Sequence, residues 1–269
     1  MIPVSAIICT KNEAARIAPC LRALHGFDEV VVIDSASTDG TARIAEANGA
    51  RVEPFIWNGR YPKKRQWALD HLPLKHERIL FVDADELMTD GLRDEIAALD
   101  WAQDGYFIKG APVWRGRVLR HGLFNNKLVL FDKNKFLFPA IDDLDIGGMG
   151  EMEGHYQPVP HDHATIGQLR HALVHECEAG WDARHERYAA WEAAMIARNA
   201  FPRDPIVWRE RLKRIFRRMR WRNVIVFLYG YLWRRGFLDG RAGYGYARAK
   251  AAYYSAVNRH AARRYTGRK

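Results

Sequence analysis

Arg78-Ile79-Leu80-Phe81-Val82-Asp83-Ala84-Asp85-Glu86 is the stretch on which the reading of this sequence turns. Ile79 to Val82 is an unbroken apolar run, the pattern of a strand buried on both faces. It ends on acids at alternate positions, Asp83 and Asp85. Alternate residues of an extended segment share a face, so the two carboxylates are presented together. An isolated Asp-x-Asp can also end a strand in solvent or cap a helix. Its meaning therefore depends on what surrounds it.

Upstream, strand and helix signals alternate. Val4 to Cys9 reads as a strand, and Ala14 to Leu24 as a helix with Ile17, Leu21 and Leu24 at helical spacing. Glu29 to Ile33 is a β-branched run. Ser37-Thr38-Asp39-Gly40 is turn chemistry, with Thr38 or Asp39 placed to cap a helix through Ala47. Arg51 to Pro54 is a short strand, and Pro62 to Leu72 a helix with proline in its first turn. Downstream of the motif, Thr89 to Leu99 is a further helix. The series predicts an α/β fold, a mostly parallel sheet flanked by helices, with ligands at the carboxyl ends of the strands. Those ends carry Thr10-Lys11-Asn12-Glu13, then Asp34, then Asp83-Ala84-Asp85-Glu86.

Converging carboxylates suit one kind of chemistry. A nucleoside diphosphate leaves poorly until its charge is neutralised, and Mg²⁺ or Mn²⁺ on one or two carboxylates does this. On this reading Asp85 holds the metal and Asp83 takes a ribose hydroxyl.

Four ordered motifs then make a resemblance specific: Ser5-Ala6-Ile7-Ile8-Cys9-Thr10-Lys11-Asn12-Glu13, Val31-Val32-Ile33-Asp34-Ser35-Ala36-Ser37-Thr38-Asp39-Gly40-Thr41, Lys64-Arg65-Gln66-Trp67-Ala68 and Phe81-Val82-Asp83-Ala84-Asp85-Glu86. Together they resemble the family 2 glycosyltransferases of the GT-A (Rossmann-like) fold, of the bacterial lipopolysaccharide-core and exopolysaccharide type. The resemblance is strong over residues 4 to 100 and looser beyond.

It implies a nucleotide-sugar donor, a divalent cation, and a saccharide or lipid-linked acceptor. It implies that Asp34 contacts the base or ribose, that Thr10, Asn12 and Glu13 line the nucleotide pocket, and that Lys64 and Arg65 lie near the nucleotide and its phosphates. Gln66 departs from the Asn of many relatives. Lys63 is expected on a solvated helix face. The family is inverting, so a carboxylate base is implied. Glu151 is preferred, Glu153 is nearly equal, and Asp142, Asp143 and Asp145 are further candidates. Histidines cluster without zinc-ligand spacing. His175 is a candidate to complete the metal shell, as a histidine does in some GT-A enzymes.

The organisation expected is a catalytic domain over 1–180, with a nucleotide-binding half (1–100) and an acceptor-side half (101–180) of short strands. A helical, basic extension over 181–269 follows. The net charge of +10 is unevenly spread. Residues 203–269 hold 19 Lys and Arg against three acids, a balance of +16, and the remainder carries −6. Trp208, Leu212, Ile215, Phe216 and Met219 share one helical face amid arginines, the signature of a basic amphipathic helix. An anionic membrane surface is the expected partner of the tail, which places the chain in the cytoplasm on the inner face of the membrane. Packing of that face on the body is the alternative. Three scattered cysteines suggest no disulfide framework. Two other functions compete. A sugar nucleotidyltransferase would carry a Gly-rich loop after the first strand, where Thr10-Lys11-Asn12-Glu13 stands. A nucleic-acid binder could use the tail charge, but no specific motif for nucleic acid is present.

Overall fold

The apolar runs of the first third become the strands of one sheet. The computed structural model describes residues 1–141, 150–151, 156–161, 163–201 and 207–266. In chain order β1 (Ile2–Thr10), α1 (Ala14–Ala23), β2 (Phe27–Asp34), α2 (Thr41–Ala47), β3 (Arg51–Pro54), α3 (Lys64–His71) and β4 (Arg78–Asp83) form the parallel half. Then come β5 (Glu86–Leu87), α4 (Asp90–Ala97), β6 (Gly105–Trp114), β7 (Arg117–Val118), β8 (Asn125–Asp132), β9 (Phe136–Leu137), β10 (Val159–Pro160) and β11 (Ile166–His175). The main sheet runs β3-β2-β1-β4-β8-β6-β11-β5, with β7 on β6, while β9 and β10 pair separately. β1 is parallel to both β2 and β4, and β8 is antiparallel to β4 and β6.

Burial explains the strand runs. Ile7, Ile8, Val31, Val32, Ile33, Ile79 and Leu80 are wholly inaccessible. At about 1.5–3 kcal/mol for each side chain buried, this interior anchors the fold. α1 turns Ile17, Cys20 and Leu21 inward. α4 begins one residue later than expected, because Thr89 is its cap: the Thr89 Oγ1 accepts from Leu92 N at 3.2 Å. Neither Asp83 nor Asp85 caps it.

Two expectations need correction. α3 starts at Lys64, so Pro62 precedes the helix rather than opening it. Lys63 is extended (φ −77°, ψ 174°) and buried at 6 % exposure, not part of a solvated face.

The chain divides into two units. The first comprises Met1–Ala111, Asn125–Ala140 and Gly150–Glu176, and the second is built mainly from Pro112–Phe124 and Cys177–Lys269. Helices α5 (Trp181–Arg198), α6 (Val207–Arg218), α7 (Arg222–Leu228) and α8 (Gly240–Thr266) dominate the second unit. A π-turn (Tyr229–Trp233) and a 3₁₀ turn (Gly236–Asp239) link α7 to α8. Ala189 and Ala193 of α5 meet Ala256 and Val257 of α8, small side chains that let two helices approach closely. Arg222, 1 % exposed, bonds Glu192 Oε1 at 3.2 Å and Asn258 Oδ1 at 2.9 Å, tying α5, α7 and α8 together. It is thus withdrawn from the basic surface of the tail.

Helix α6 differs from the others. Phe216 packs edge-on against Tyr254, and Arg217 lies 4.0 Å from the Phe201 ring. Trp208, Leu212 and Ile215 are 63, 56 and 59 % exposed. The apolar face therefore splits, with Phe216 turned in and the rest facing solvent. No helix among the described residues is long and apolar enough to cross a membrane.

Candidate active site

Strand order creates the site. From β1 the chain winds through β2 to β3 on one side, then returns at β4 on the other. Such a switch point leaves a crevice at the strand carboxyl ends. Register does the rest. Thr10 lies opposite Asp34, and Cys9 opposite Asp83.

Asp34 is 5 % exposed. Its Oδ1 accepts from Thr10 Oγ1 (3.0 Å) and Ser37 Oγ (2.5 Å), and its Oδ2 accepts from Ser37 N (2.8 Å). Asn12, at φ +56°, accepts from Thr38 N at 2.9 Å, while its own N donates to Ser37 Oγ at 2.7 Å. The N of Glu13 donates to Thr41 Oγ1 (2.8 Å), and its carboxylate meets Arg16 at 3.1 Å. Asp39 accepts from Thr41 N and Ala14 N, both at 3.0 Å, so it ties the starts of α1 and α2. Its bonds to the Thr41 hydroxyl, then to Ala14 N, hold its carboxyl below the usual carboxylate range. The helix cap falls on Gly40, whose φ of +87° glycine tolerates. Ser35 to Thr41 thereby latches the exit of β2 onto the exit of β1.

The acidic motif is a turn between two strands. β5 pairs antiparallel with β11, with Glu86 opposite His175 and Leu87 opposite Val174. This brings His175 Nε2 to 3.4 Å from Asp85 Oδ2. Glu176 N donates to Asp85 O at 2.9 Å, fixing the turn. Asp83 is held elsewhere. Its Oδ1 accepts from Arg65 and its Oδ2 from Lys127, each at 2.7 Å. Lys127 Nζ also lies 2.5 Å from Glu86 Oε1, and Glu86 is wholly buried. Burial alone would raise Asp83, but Lys127 and then Arg65 outweigh it, and the carboxyl falls far below the usual range. Burial prevails at Glu86, which is raised despite Lys127. For Lys127 burial is overcome by Asp83 and Glu86, and its ammonium titrates above the usual range.

Asp85 and His175 fit a divalent cation as a two-ligand edge. Donors sharing an ion at about 2.0–2.1 Å sit roughly 3 Å apart, close to the separation here. Among the described residues no cluster of three or more such donors occurs. Two donors leave most of an ion's coordination sphere to groups from outside the pair.

Lys64 donates to Thr10 O at 3.1 Å and lies 3.6 Å from Glu151 Oε1, and Lys11 lies 3.7 Å from the same oxygen. Thus Glu151 stands beside the exit of β1, between two ammonium groups. Glu153, Asp142, Asp143 and Asp145 lie outside the described residues. Gln66 is a tie: Phe138 N donates to its Oε1 and its Nε2 donates to Asp70, both at 2.7 Å. The sequence reading missed Lys127 and the depth of Glu86. Lys127 opens the apolar run Leu128 to Phe131, and a lysine at a strand start carries no local mark of burial.

Comparison with known proteins agrees with this geometry. The profile of Glycosyl transferase family 2 matches residues 5–141, just over half of the chain. An uncharacterized glycosyltransferase of Rickettsia bellii is 45 % identical over 94 residues, 35 % of this chain and 31 % of that protein. The lipopolysaccharide core biosynthesis glycosyltransferase LpsC of Rhizobium meliloti is 33 % identical over 108 residues, 38 % of this chain and 39 % of its own. The matched region thus spans about a third of the length of these curated relatives. Among solved structures, S. aureus TarS 1-349 aligns with a TM-score of 0.50 at 19 % identity, covering 98 % of this chain and 92 % of that one, a likeness of fold. With the motifs at the strand ends of a GT-A sheet and the profile over residues 5–141, the chain belongs to glycosyl transferase family 2.

Proposed function

We propose that this chain is an inverting glycosyltransferase. It moves a sugar from a nucleotide-diphospho-sugar to a saccharide or lipid-linked acceptor in cell-surface polysaccharide assembly. The observation that carries the reading is the gathering of Thr10, Asp34, Asp83 and the Asp85–His175 pair on neighbouring strand ends. Kinship to LpsC supports lipopolysaccharide or exopolysaccharide as the product class.

In this reading Asp34 accepts from the base or ribose, with Thr10, Asn12 and Glu13 shaping the pocket around it. Asp83 accepts a ribose hydroxyl, and Lys64 and Arg65 add positive charge beside the nucleotide. Asp85 and His175 hold the divalent cation, Mg²⁺ or Mn²⁺, whose chemistry when bound is to neutralise charge on the departing diphosphate. Glu151 or Glu153 takes the proton of the acceptor hydroxyl as it attacks from the opposite face. Thermal-shift measurement with UDP-, GDP-, ADP- and dTDP-sugars, with and without Mn²⁺, tests the donor site. Stabilisation by one nucleotide family, enhanced by Mn²⁺, is expected; none by any would sink the reading. For the base, turnover of Glu151→Gln and Glu153→Gln decides, and two wild-type rates would rule out both residues.

The exposed apolar face of α6 supports attachment of the tail, residues 203–269, to an anionic membrane surface. That attachment would hold the enzyme at the cytoplasmic face of the membrane, beside a lipid-linked acceptor. Trp208, Leu212 and Ile215 face outward on a helix that also carries Arg209, Arg211, Lys213, Arg214 and Arg218. Each basic residue near such a surface contributes about 1 kcal/mol. The full chain is expected to co-sediment with phosphatidylglycerol vesicles and not with phosphatidylcholine vesicles. The variant Trp208→Glu/Leu212→Glu/Ile215→Glu is expected to remain in the supernatant. Equal sedimentation of variant and wild type would refute the attachment.

A further inference from the structure

Building on the donor-site reading above, we propose that Lys127 is a positioning residue: from β8 it fixes the carboxylate of Asp83 for the donor without meeting the donor itself. Lys127 is 8 % exposed, while the side chain of Asp83 keeps 35 % of its surface open. The two therefore play different parts, one inside and one at the surface of the crevice.

Three groups of Asp83 are held at once. Arg65 takes Oδ1 and Lys127 takes Oδ2, each at 2.7 Å. Its backbone N donates to Glu86 Oε2 at 3.1 Å. A carboxylate offers about four acceptor sites, so two remain for an incoming hydroxyl on the open side. Orientation fixed before binding removes a cost that the ligand would otherwise bear.

The plainer role for Lys127 is to neutralise buried Glu86. That role requires only the 2.5 Å approach to Glu86 Oε1. The second bond, to Asp83 on the neighbouring strand β4, is not needed for it. Lysine suits the double task because its ammonium is a compact charge with three donors on a flexible stem. Asp83 and Glu86 together keep that ammonium charged in spite of burial.

The test separates the two roles by a mutant cycle. Glu86→Gln removes the acid to be neutralised, and Lys127→Met is then read against this parent, with Asp or Asn at position 83. Calorimetry measures the affinity of each variant for UDP, GDP, ADP and dTDP with Mn²⁺. With Asp83 present, Lys127→Met is expected to weaken the best-bound nucleotide on the order of tenfold, the scale of a lost charge-assisted hydrogen bond. With Asp83→Asn in place the same change is expected to cost less than about twofold. Equal losses in both backgrounds, or no loss in either, would overturn the proposal. Lys127→Gln in the same parent keeps a hydrogen-bond donor at lower packing risk, and a smaller loss than for Met is expected; a loss equal to Met's counts against it. A wild type that binds none of the four nucleotides would overturn the donor-site reading itself, and this inference with it.

Discussion

Replacing Arg222 by methionine would uncover how much the second unit owes to one buried ion pair. The guanidinium is 1 % exposed, bonded to Glu192 and Asn258 and set 5.6 Å from the Tyr254 ring. Methionine fills similar volume but leaves Glu192 with the Tyr253 hydroxyl and the weaker pull of Arg217. Breaking a buried pair by removing one partner costs about 3–5 kcal/mol. At roughly 2–4 °C per kcal/mol for a chain of this size, the melting temperature falls by roughly 6–20 °C. The pH dependence carries the sharper test. Burial already raises Glu192, while Tyr253 and then Arg222 lower it. Without Arg222 it rises further. An acid raised in the folded state holds its proton more tightly there, so stability falls as pH climbs past the ordinary carboxylate value. The penalty of Arg222→Met is therefore expected to be larger at pH 8 than at pH 5, and Glu192→Gln/Arg222→Met is expected to recover much of it. Circular dichroism melts at the two pH values measure both. A melting temperature within 2 °C of wild type at pH 8, or a penalty independent of pH, would refute the reasoning.

Three further outcomes are expected. His175→Ala is expected to weaken Mn²⁺-supported nucleotide binding by at least about tenfold with little effect on binding in chelator, as calorimetry would show. Glu95 is pushed up by burial, yet bonds from Arg170 N and His171 N hold its carboxyl at about 2. Its contribution, at most about 3 kcal/mol, is present above the ordinary value of 4.5 and lost as pH falls toward 2, so Glu95→Gln is expected to flatten that acid limb in denaturant titrations. Thr89→Ala removes the cap of α4 and is expected to cost about 1 kcal/mol in urea unfolding, and an unchanged midpoint would contradict the capping role.

The parallel half of the sheet was readable because each strand announces itself locally. Glu29 to Ile33 and Ile79 to Val82 are short apolar runs bounded by turn residues, and the acids that follow them mark the strand ends. Contacts across long sequence separations were not readable. Lys127 meets Asp83 over 44 residues, and Arg222 meets Glu192 over 30. Neither cation differs in its local text from a solvated one. Lys63 misled for the same reason, since its neighbours spell a charged helix face while the chain there is still extended. On α6 the spacing of apolar residues located the amphipathic stripe, yet could not say that Phe216 alone would turn inward.

Asp83, Asp85 and Glu86 crowd three acids into four residues, and Arg65 and Lys127 cancel two of those charges from within the protein. Those pairings relieve part of the cluster's repulsion without any ion, so the fold is expected to hold in chelator, which melts with and without EDTA would check. On the proposed reading, chain stripped with chelator is then expected to serve as one folded stock for titration with Mg²⁺, Mn²⁺ or Ca²⁺ side by side. Ion preference then becomes a property measured on one scaffold, free of differences in folding history.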